Sequence, residues 1–438
     1  MCGINGIISK DKNKDKLIKS MNEKILHRGP DAEGIFVEGD VALGQRRLSI
    51  IDLAGGNQPI YNEDKSILIM YNGEVYNYKE LKEELTEYKF ETESDTEVVL
   101  HGYEKWGHDL PKKLRGMFAY AIYDKNKGEI FISRDQFGIK PLYYYHDGDT
   151  ILFGSEIKSF LAYPKFKKVL NKELLGAYLT FSFTPTDETF FKGVYRLPSG
   201  HSMTIDVKKR KIKIDRYFKV EFGNTDKSFD EVVKDISTAM KDSTEHHLIS
   251  DVEVGSFLSS GVDSSYLVSL AKPDKTYTIG FDLAKYSEID YAKDLTDKLN
   301  IKNISEKISK EEYMNALSEV YYHMDEPTAD GCAIAVYFLS RLASKDVKVV
   351  LSGEGADEFF GGYNSYDDNF YTKLPFFIRK SMASICKILP KNKITRYIIR
   401  RGLPLEESYV SINRTYYDDE LKDVLKIDNY IKNKDIVK

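Results

Sequence analysis

LSSGVDSS (258–265) closes an apolar run that begins at Val252. Small hydroxyl residues, a glycine and an aspartate between a buried strand and a helical pattern build a turn whose backbone N–H groups converge, with a helix N-terminus aimed at its contents. Such a turn is a cradle for an anion. It lacks the lysine and spacing of a Walker A loop, so cleavage of a terminal phosphate is not indicated. Taken alone, a serine-rich helix N-cap accounts for the stretch equally well. A second loop breaks the tie. The apolar run 347–351 leads into SGEGADEFFGGY (352–363), two small donors followed by Glu354, Asp357 and Glu358. Loops that follow strands in this way gather at the carboxyl edge of a parallel sheet, where such sheets bind ligands.

Around these loops, helix and buried strand alternate: helix over 230–248, strand 253–258, helix 264–271, strand 276–281, helix 291–299, strand 347–351. That alternation predicts an α/β parallel sheet with helices on both faces. Before it, short β-rich runs at 67–71, 118–123, 129–133, 143–145 and 150–153, with helical stretches at 78–85 and 96–105, predict an α+β layered domain. The division expected is a first domain over 1–216, a polar linker over 217–229 and a second domain over 230–438. With 438 residues, 42% hydrophobic and 30% charged, the chain can bury a core, and at ~150 residues per domain two or three domains are expected. A net charge of -5 argues against nucleic acid or an anionic membrane as partner. Cys2, Cys332 and Cys386 show no paired spacing, which speaks against a disulfide framework or zinc site and for a reducing cytoplasm. Charge at Lys10 and Asp11 comes too early for a secretory segment, and no apolar run is long enough to span a bilayer.

The chain opens Met1-Cys2-Gly3-Ile4. Removal of the initiator methionine would leave Cys2 with a free α-amine beside its thiol, nucleophile and base on one residue. An amine of pKa ~8 suits that role near neutral pH. A chance cysteine on a frayed end is the alternative, and the neighbourhood argues against it. CGI, HRGPD (27–31), RRLSIIDL (46–53), YNGEVYN (71–77), ESDTEVV (93–99) and RDQFGIKPLYY (134–144) resemble, in order and spacing, the glutaminase domain of class II glutamine amidotransferases, an N-terminal-nucleophile fold of αββα layers. The resemblance implies that Cys2 attacks the glutamine carboxamide to form a γ-glutamyl thioester and free ammonia. By the same resemblance Arg47 would hold the α-carboxylate, and Asp95 and Glu74 the α-ammonium end. Asn72 and the backbone N–H of Gly73 would form the oxyanion hole, and Leu48, Ser49, Ile50 and Ile51 would line the pocket. Singly, Asn72-Gly73 is a hairpin signal and Arg47 or Asp95 a solvated charge. RDQFGIKPLYY reads as scaffold, with Gly138 and Pro141 at turns.

SSGVDSS is similar to the pyrophosphate loop of the N-type ATP pyrophosphatases, with Ser260 where the usual form has the first of two glycines. This loop, the 352–363 loop and the glutaminase motifs together resemble the glutamine-hydrolysing asparagine synthetase family. The resemblance implies an ATP pyrophosphatase domain that turns ATP, aspartate and glutamine into asparagine, AMP, pyrophosphate and glutamate. Asp263 and Asp357 would hold Mg²⁺ against the phosphates. Ser259, Gly261, Ser264 and Ser265 would bind pyrophosphate, and Leu258, Ile279, Ser352 and Gly353 the AMP part. Glu354 would sit by the aspartyl-adenylate, where it could take a proton from ammonia. Ammonia would pass between domains by a dry tunnel; Met117 is a candidate for its wall, core packing the commoner role.

The likeness thins after Tyr363. Family members usually continue with an Arg-Val-Pro-Phe-Leu-Asp-like motif and a later lysine, so a C-terminally incomplete second domain is expected. Between 369 and 405 lie nine basic residues and no acid, an anion site or, more commonly, a solvated helical face. Four readings stay open: the bifunctional enzyme, a glutaminase without synthetase activity, a sibling amidotransferase acting on another carboxylate, and a non-catalytic nucleotide-binding protein. A homodimer is also left open.

Overall fold

The computed structural model describes residues 1–282, 287–328, 331–363, 373–390, 392–404, 415–416, 418–426 and 430–431. Two compact units divide them: the first is Met1–Val169, Phe191–Asp325 and Ala333–Ser352, the second Leu170–Phe190, Glu326–Cys332 and Gly353–Lys438.

In chain order the first unit begins β1 (Gly3–Ile8), α1 (Lys14–Lys24), β2 (Ala32–Glu38), β3 (Val41–Arg47), β4 (Ile60–Tyr61), β5 (Ile67–Val75), α2 (Tyr78–Glu84) and α3 (Asp95–Trp106). It continues with β6 (Gly116–Asp124), β7 (Glu129–Arg134), β8 (Tyr143–His146) and β9 (Ile151–Gly154); α4 (Leu175–Phe181) belongs to the second unit. Next come β10 (Val194–Arg196), β11 (His201–Asp206) and β12 (Lys211–Arg216). These strands form two six-stranded sheets, β10-β8-β9-β1-β3-β2 and β12-β11-β7-β6-β5-β4. Side chains alternate across a strand, so a sheet covered on both faces is apolar at every position. β5 shows this: Leu68 and Met70 enter the core between the sheets with Ile4, Leu43 and Ile132, while Ile67, Ile69 and Tyr71 face Leu81, Val98 and Val99 of α2 and α3. On the opposite side Ile18 and Met21 of α1 cover Ile7 and Leu152. The result is the expected αββα sandwich.

Asn72 and Gly73 are not a hairpin turn. They lie inside β5, opposite Ala119 and Phe118 of β6, because pairing with β6 runs unbroken to Val75. Glycine is required there: a Cβ on Gly73 would stand 2.5 Å from the Met117 carbonyl oxygen.

After Arg216 the chain forms α5 (Phe229–His247), β13 (Val254–Phe257), α6 (Val262–Ala271), β14 (Lys275–Phe281), α7 (Ile289–Leu299) and β15 (Lys302–Ile308). Then follow α8 (Lys310–Met324), α9 (Cys332–Ala343) and β16 (Val349–Leu351). Ser228 and Glu231 close a reciprocal capping box at the start of α5, two orphan N–H groups satisfied where the polar run ends. The strands form one sheet, β15-β14-β13-β16, with every pairing parallel. Tyr277, Ile279, Ala316 and Phe338 pack one core against α8 and α9, and Leu258, Val268 and Ala292 a separate one under α6 and α7. Helices therefore cover both faces.

The second unit holds α4, α10 (Ala356–Phe360), α11 (Phe376–Cys386), α12 (Lys393–Arg401) and α13 (Asp418–Val424). α11 and α12 meet where Gly402 leaves no room for a side chain, a Cβ there falling 2.3 Å from Ala383 Cβ. The basic segment 369–405 lies partly outside the described residues. Its described part is largely these two helices, with Arg379 donating to the Arg401 carbonyl at 2.8 Å and Arg396 pairing with Glu420 at 2.9 Å. Among the described residues, no helix is long and apolar enough to cross a membrane.

Candidate active site

Cys2 stands just ahead of β1, which pairs with β3 and so brings the thiol to the chain leaving β3. Its Sγ accepts from the Leu48 N–H at 3.3 Å and lies 3.6 Å from the Leu48 carbonyl. Burial pushes the thiol up, against the Leu48 N–H and the terminal ammonium, which favour thiolate. Burial likewise pushes the α-amine of Met1 down to about 5. Behind Cys2, Arg28 Nε donates to the Cys2 carbonyl at 2.9 Å and Arg28 Nη1 to Glu156 at 3.0 Å. Glu156 also meets His27 at 2.9 Å and the Lys158 ammonium, and Lys158 reaches Asp325 at 3.0 Å. Burial would raise the Glu156 carboxyl, but His27, Arg28 and Lys158 outweigh it and hold it at about 2.

Across from β1, β5 carries Asn72. Its side chain is fully buried, yet neither amide atom has a hydrogen-bond partner among the described residues. An unsatisfied buried amide is costly and uncommon in a native fold. Glu74, two residues on, has a buried carboxylate oxygen in the same condition. Burial first and the nearby Asp95 second push Glu74 well above the usual carboxylate range. Asp95 is the first residue of α3, behind the capping Ser94, and accepts from Tyr71 Oη at 2.8 Å and the Val75 N–H at 2.9 Å. Two acids so close, one unpartnered, form a site that a cation relieves.

Arg47 is buried at the end of β3 and spends its fork on the turn beyond. Nη1 donates to Asn57 Oδ1 at 2.9 Å and the Leu53 carbonyl at 3.4 Å, Nη2 to the carbonyls of Ile51 at 3.1 Å and Asp52 at 2.6 Å. Leu48, Ser49, Ile50 and Ile51 line the same turn, and the Ser49 N–H is held by Asp31 at 2.9 Å. Met117, half-buried, lies opposite Glu74 on β6 and outside the buried cores.

In the parallel sheet, the loop after β13 is closed on itself. Ser259 Oγ meets Ser264 Oγ at 2.9 Å and accepts from the Gly261 N–H at 3.1 Å, and Ser265 Oγ donates to the Gly261 carbonyl at 2.8 Å. Gly261 is itself the N-cap of α6, with no side-chain cap, so serine capping does not account for the motif. Ser260 donates its hydroxyl to Glu288 at 2.7 Å. Asp263 is exposed on the first turn of α6. The side chains of Leu258 and Ile279 are packed into cores, so their contacts with a nucleotide would be through backbone. β16 is the parallel neighbour of β13 and ends at Leu351, ahead of Ser352. In the second unit, Gly353 is followed by exposed Glu354, then Gly355 at φ +91° and half-buried Asp357 in α10.

Residues 1–218 match the glutamine amidotransferase domain family and residues 235–426 the asparagine synthase family. The chain is 41% identical over 442 residues to asparagine synthetase (glutamine-hydrolyzing) 1 of Bacillus subtilis, spanning 97% of this chain and 70% of that one. The chain belongs to the glutamine-hydrolysing asparagine synthetase family. A putative member from Methanocaldococcus jannaschii is 35% identical across 99% of this chain and 90% of its own length. One from Mycobacterium tuberculosis is 37% identical across 91% of this chain but 65% of its own. The chain thus spans 70% and 65% of the length of these Bacillus and Mycobacterium family members.

Several charged residues packed around Cys2 and the turn after β3 carry no signal of their own in the sequence. Arg28 and Asp31 sit in HRGPD, a motif read for its order and not for its charges. Lys140 sits in the segment read as scaffold: Arg134 does bind three carbonyls there, those of Gly138, Lys140 and Leu197. Lys140 itself is buried and reaches Met1 Sδ at 3.3 Å, so its charge acts on Cys2 and Glu74. Glu156 carries no sequence signal, being assembled by a fold contact across 128 residues.

Proposed function

We propose that this chain makes asparagine with nitrogen from glutamine, through a glutaminase domain at 1–216, a linker at 217–229 and a synthetase domain at 230–438. With Met1 removed, the α-amine of Cys2 takes the thiol proton, and Sγ attacks the glutamine carboxamide. Arg47 holds the α-carboxylate, Asp95 and Glu74 the α-ammonium, and Asn72 with the Gly73 N–H receives the oxyanion. Ammonia leaves, and water releases glutamate from the thioester. In the synthetase domain Ser259, Gly261, Ser264 and Ser265 hold the pyrophosphate part of ATP, and Leu258, Ile279, Ser352 and Gly353 the AMP part. The aspartate side-chain carboxylate attacks the α-phosphorus and pyrophosphate leaves. Ammonia then displaces AMP, its proton passing to Glu354. By the family resemblance Asp263 and Asp357 would hold Mg²⁺, their carboxylates being the hard oxygen donors it takes, and the ion would neutralise phosphate charge. The reaction belongs to the cytoplasm, and a homodimer is compatible with it.

The observation that carries this reading is the buried, unpartnered amide of Asn72 on β5, in a chain whose nucleophile is the second residue. A donor kept unpaired in the ground state is what oxyanion stabilisation requires. The test is glutamate release from glutamine by the purified chain and by Cys2→Ala. Release by the former alone supports the glutaminase half; equal release by both contradicts it.

A further inference from the structure

The pocket loop after β3 is held by residues far away in sequence. The N–H of Asp251 donates to the Ile50 carbonyl at 3.1 Å, and its carboxylate accepts from the Asp52 N–H at 2.8 Å. This two-point grip fixes a residue in an unusual conformation, since Asp52 has φ +49°. Asp52 in turn presents its carbonyl to Arg47 Nη2, so the position of Asp251 is passed to the guanidinium. Beside it, Lys348 Nζ lies 2.6 Å from Asp31 Oδ2, the same oxygen that holds the Ser49 N–H. Ile249 adds apolar contact on the core that Ile50 also joins, and His247 packs its ring 4.2 Å from Tyr76.

Both anchors occupy one end of the parallel sheet. Lys348 immediately precedes β16 and Asp251 stands three residues ahead of β13, and Val254 is paired with Val349. The other ends of these two strands lead into the loops at 258–265 and 352–363. We infer that Asp251 and Lys348 are positioning residues of the glutamine pocket, supplied by the parallel-sheet domain to fix Ser49, Ile50 and Asp52 and through them Arg47. This rests on the reading of Arg47 and its loop as the glutamine pocket. Neither residue touches substrate. Their loss blurs where the fork points, which weakens the grip on the α-carboxylate in ground and transition states alike and so raises KM more than it lowers kcat.

The test uses the full chain and follows glutamate release for KM and kcat, ammonia-dependent pyrophosphate release, and the thermal midpoint. Asp251→Ala is expected to raise KM for glutamine roughly tenfold, the scale of one charged hydrogen bond, with kcat within about twofold and ammonia-dependent turnover unchanged. Asp251→Asn keeps an acceptor for the Asp52 N–H and is expected to restore most of the affinity. Lys348→Met, at an exposed pair, is expected to raise KM about threefold, and carries the test if Asp251→Ala does not fold. An unchanged KM in folded variants overturns the inference and leaves the glutaminase reading intact. So does a loss of both activities in step with a lower thermal midpoint, the mark of domain glue. No hydrolysis by the unaltered chain removes the glutaminase reading, and this inference with it.

Discussion

At the scale of single residues, the site is legible as groups left without what they ordinarily need. The side-chain amide of Asn72 is buried with no partner among the described residues, so, on its proposed role, Asn72→Ala removes a cost to the ground state and a donor to the transition state. Glutamine hydrolysis is expected to fall on the order of a hundredfold or more in kcat, with no drop in thermal midpoint; steady-state kinetics beside a melting curve checks both. Gly73→Ala is the opposite case. The added Cβ meets backbone at 2.5 Å, and a loss of about 1–3 kcal/mol is expected from chemical denaturation. Glu156 gives a pH signature. Its folded value of about 2 lies below the ordinary 4.5, so its contribution is present above about 4.5 and fades as pH falls toward 2. Glu156→Gln is expected to flatten the acid limb of stability against pH. Cys2, Arg47, Asn72 and Asp95 are proposed from motif order because each lies inside a motif that the sequence displays whole. Glu156 and Asp251 could not, because their importance lies in contacts across 128 and 199 residues.

At the scale of elements, strand and helix were legible wherever one period dominates: β5, β6, α3, α5, β13, β14 and α7 are all foreseen to within a few residues. Where a segment was weakly patterned it was passed over. β15 is KNISEKI, an edge strand whose outer positions are charged, and β12 is KIKIDR with most residues exposed. Each offers only two apolar residues, Ile304 and Ile308 in β15 and Ile212 and Ile214 in β12, among charged ones. The Asn72-Gly73 turn signal was overridden because β6 supplies pairing on both sides of it. α3 illustrates an element secured by titration. His101, buried on that helix, sits 2.7 Å from Glu104 and 3.6 Å from Glu97. Burial would lower it, but the Glu104 hydrogen bond and the nearby Glu97 carboxylate raise it from 6.5 to about 9. The folded value being the higher, its stabilising effect is complete below about 6.5 and is lost as pH rises through about 9. His101→Gln is expected to abolish that alkaline slope in melting curves recorded across this range.

At the scale of the whole molecule, an αββα layer and a parallel sheet on one chain join a source of ammonia to a consumer of it. Ammonia in water near neutral pH is mostly protonated, and a protonated amine is no nucleophile, so linking the two activities has a chemical reason. The parallel-sheet part holds the turn after β3 through Asp251 and Lys348, and on the proposed reading of that turn the two halves act as one device. The most direct test of that claim is a product balance for the purified chain given ATP, Mg²⁺ and aspartate, with ammonia or glutamine as the nitrogen source. Asparagine, AMP and pyrophosphate are expected in equal amounts from either source, with the glutamine route alone lost in Cys2→Ala. Glutamate released from glutamine with neither pyrophosphate nor asparagine formed from either source would contradict it.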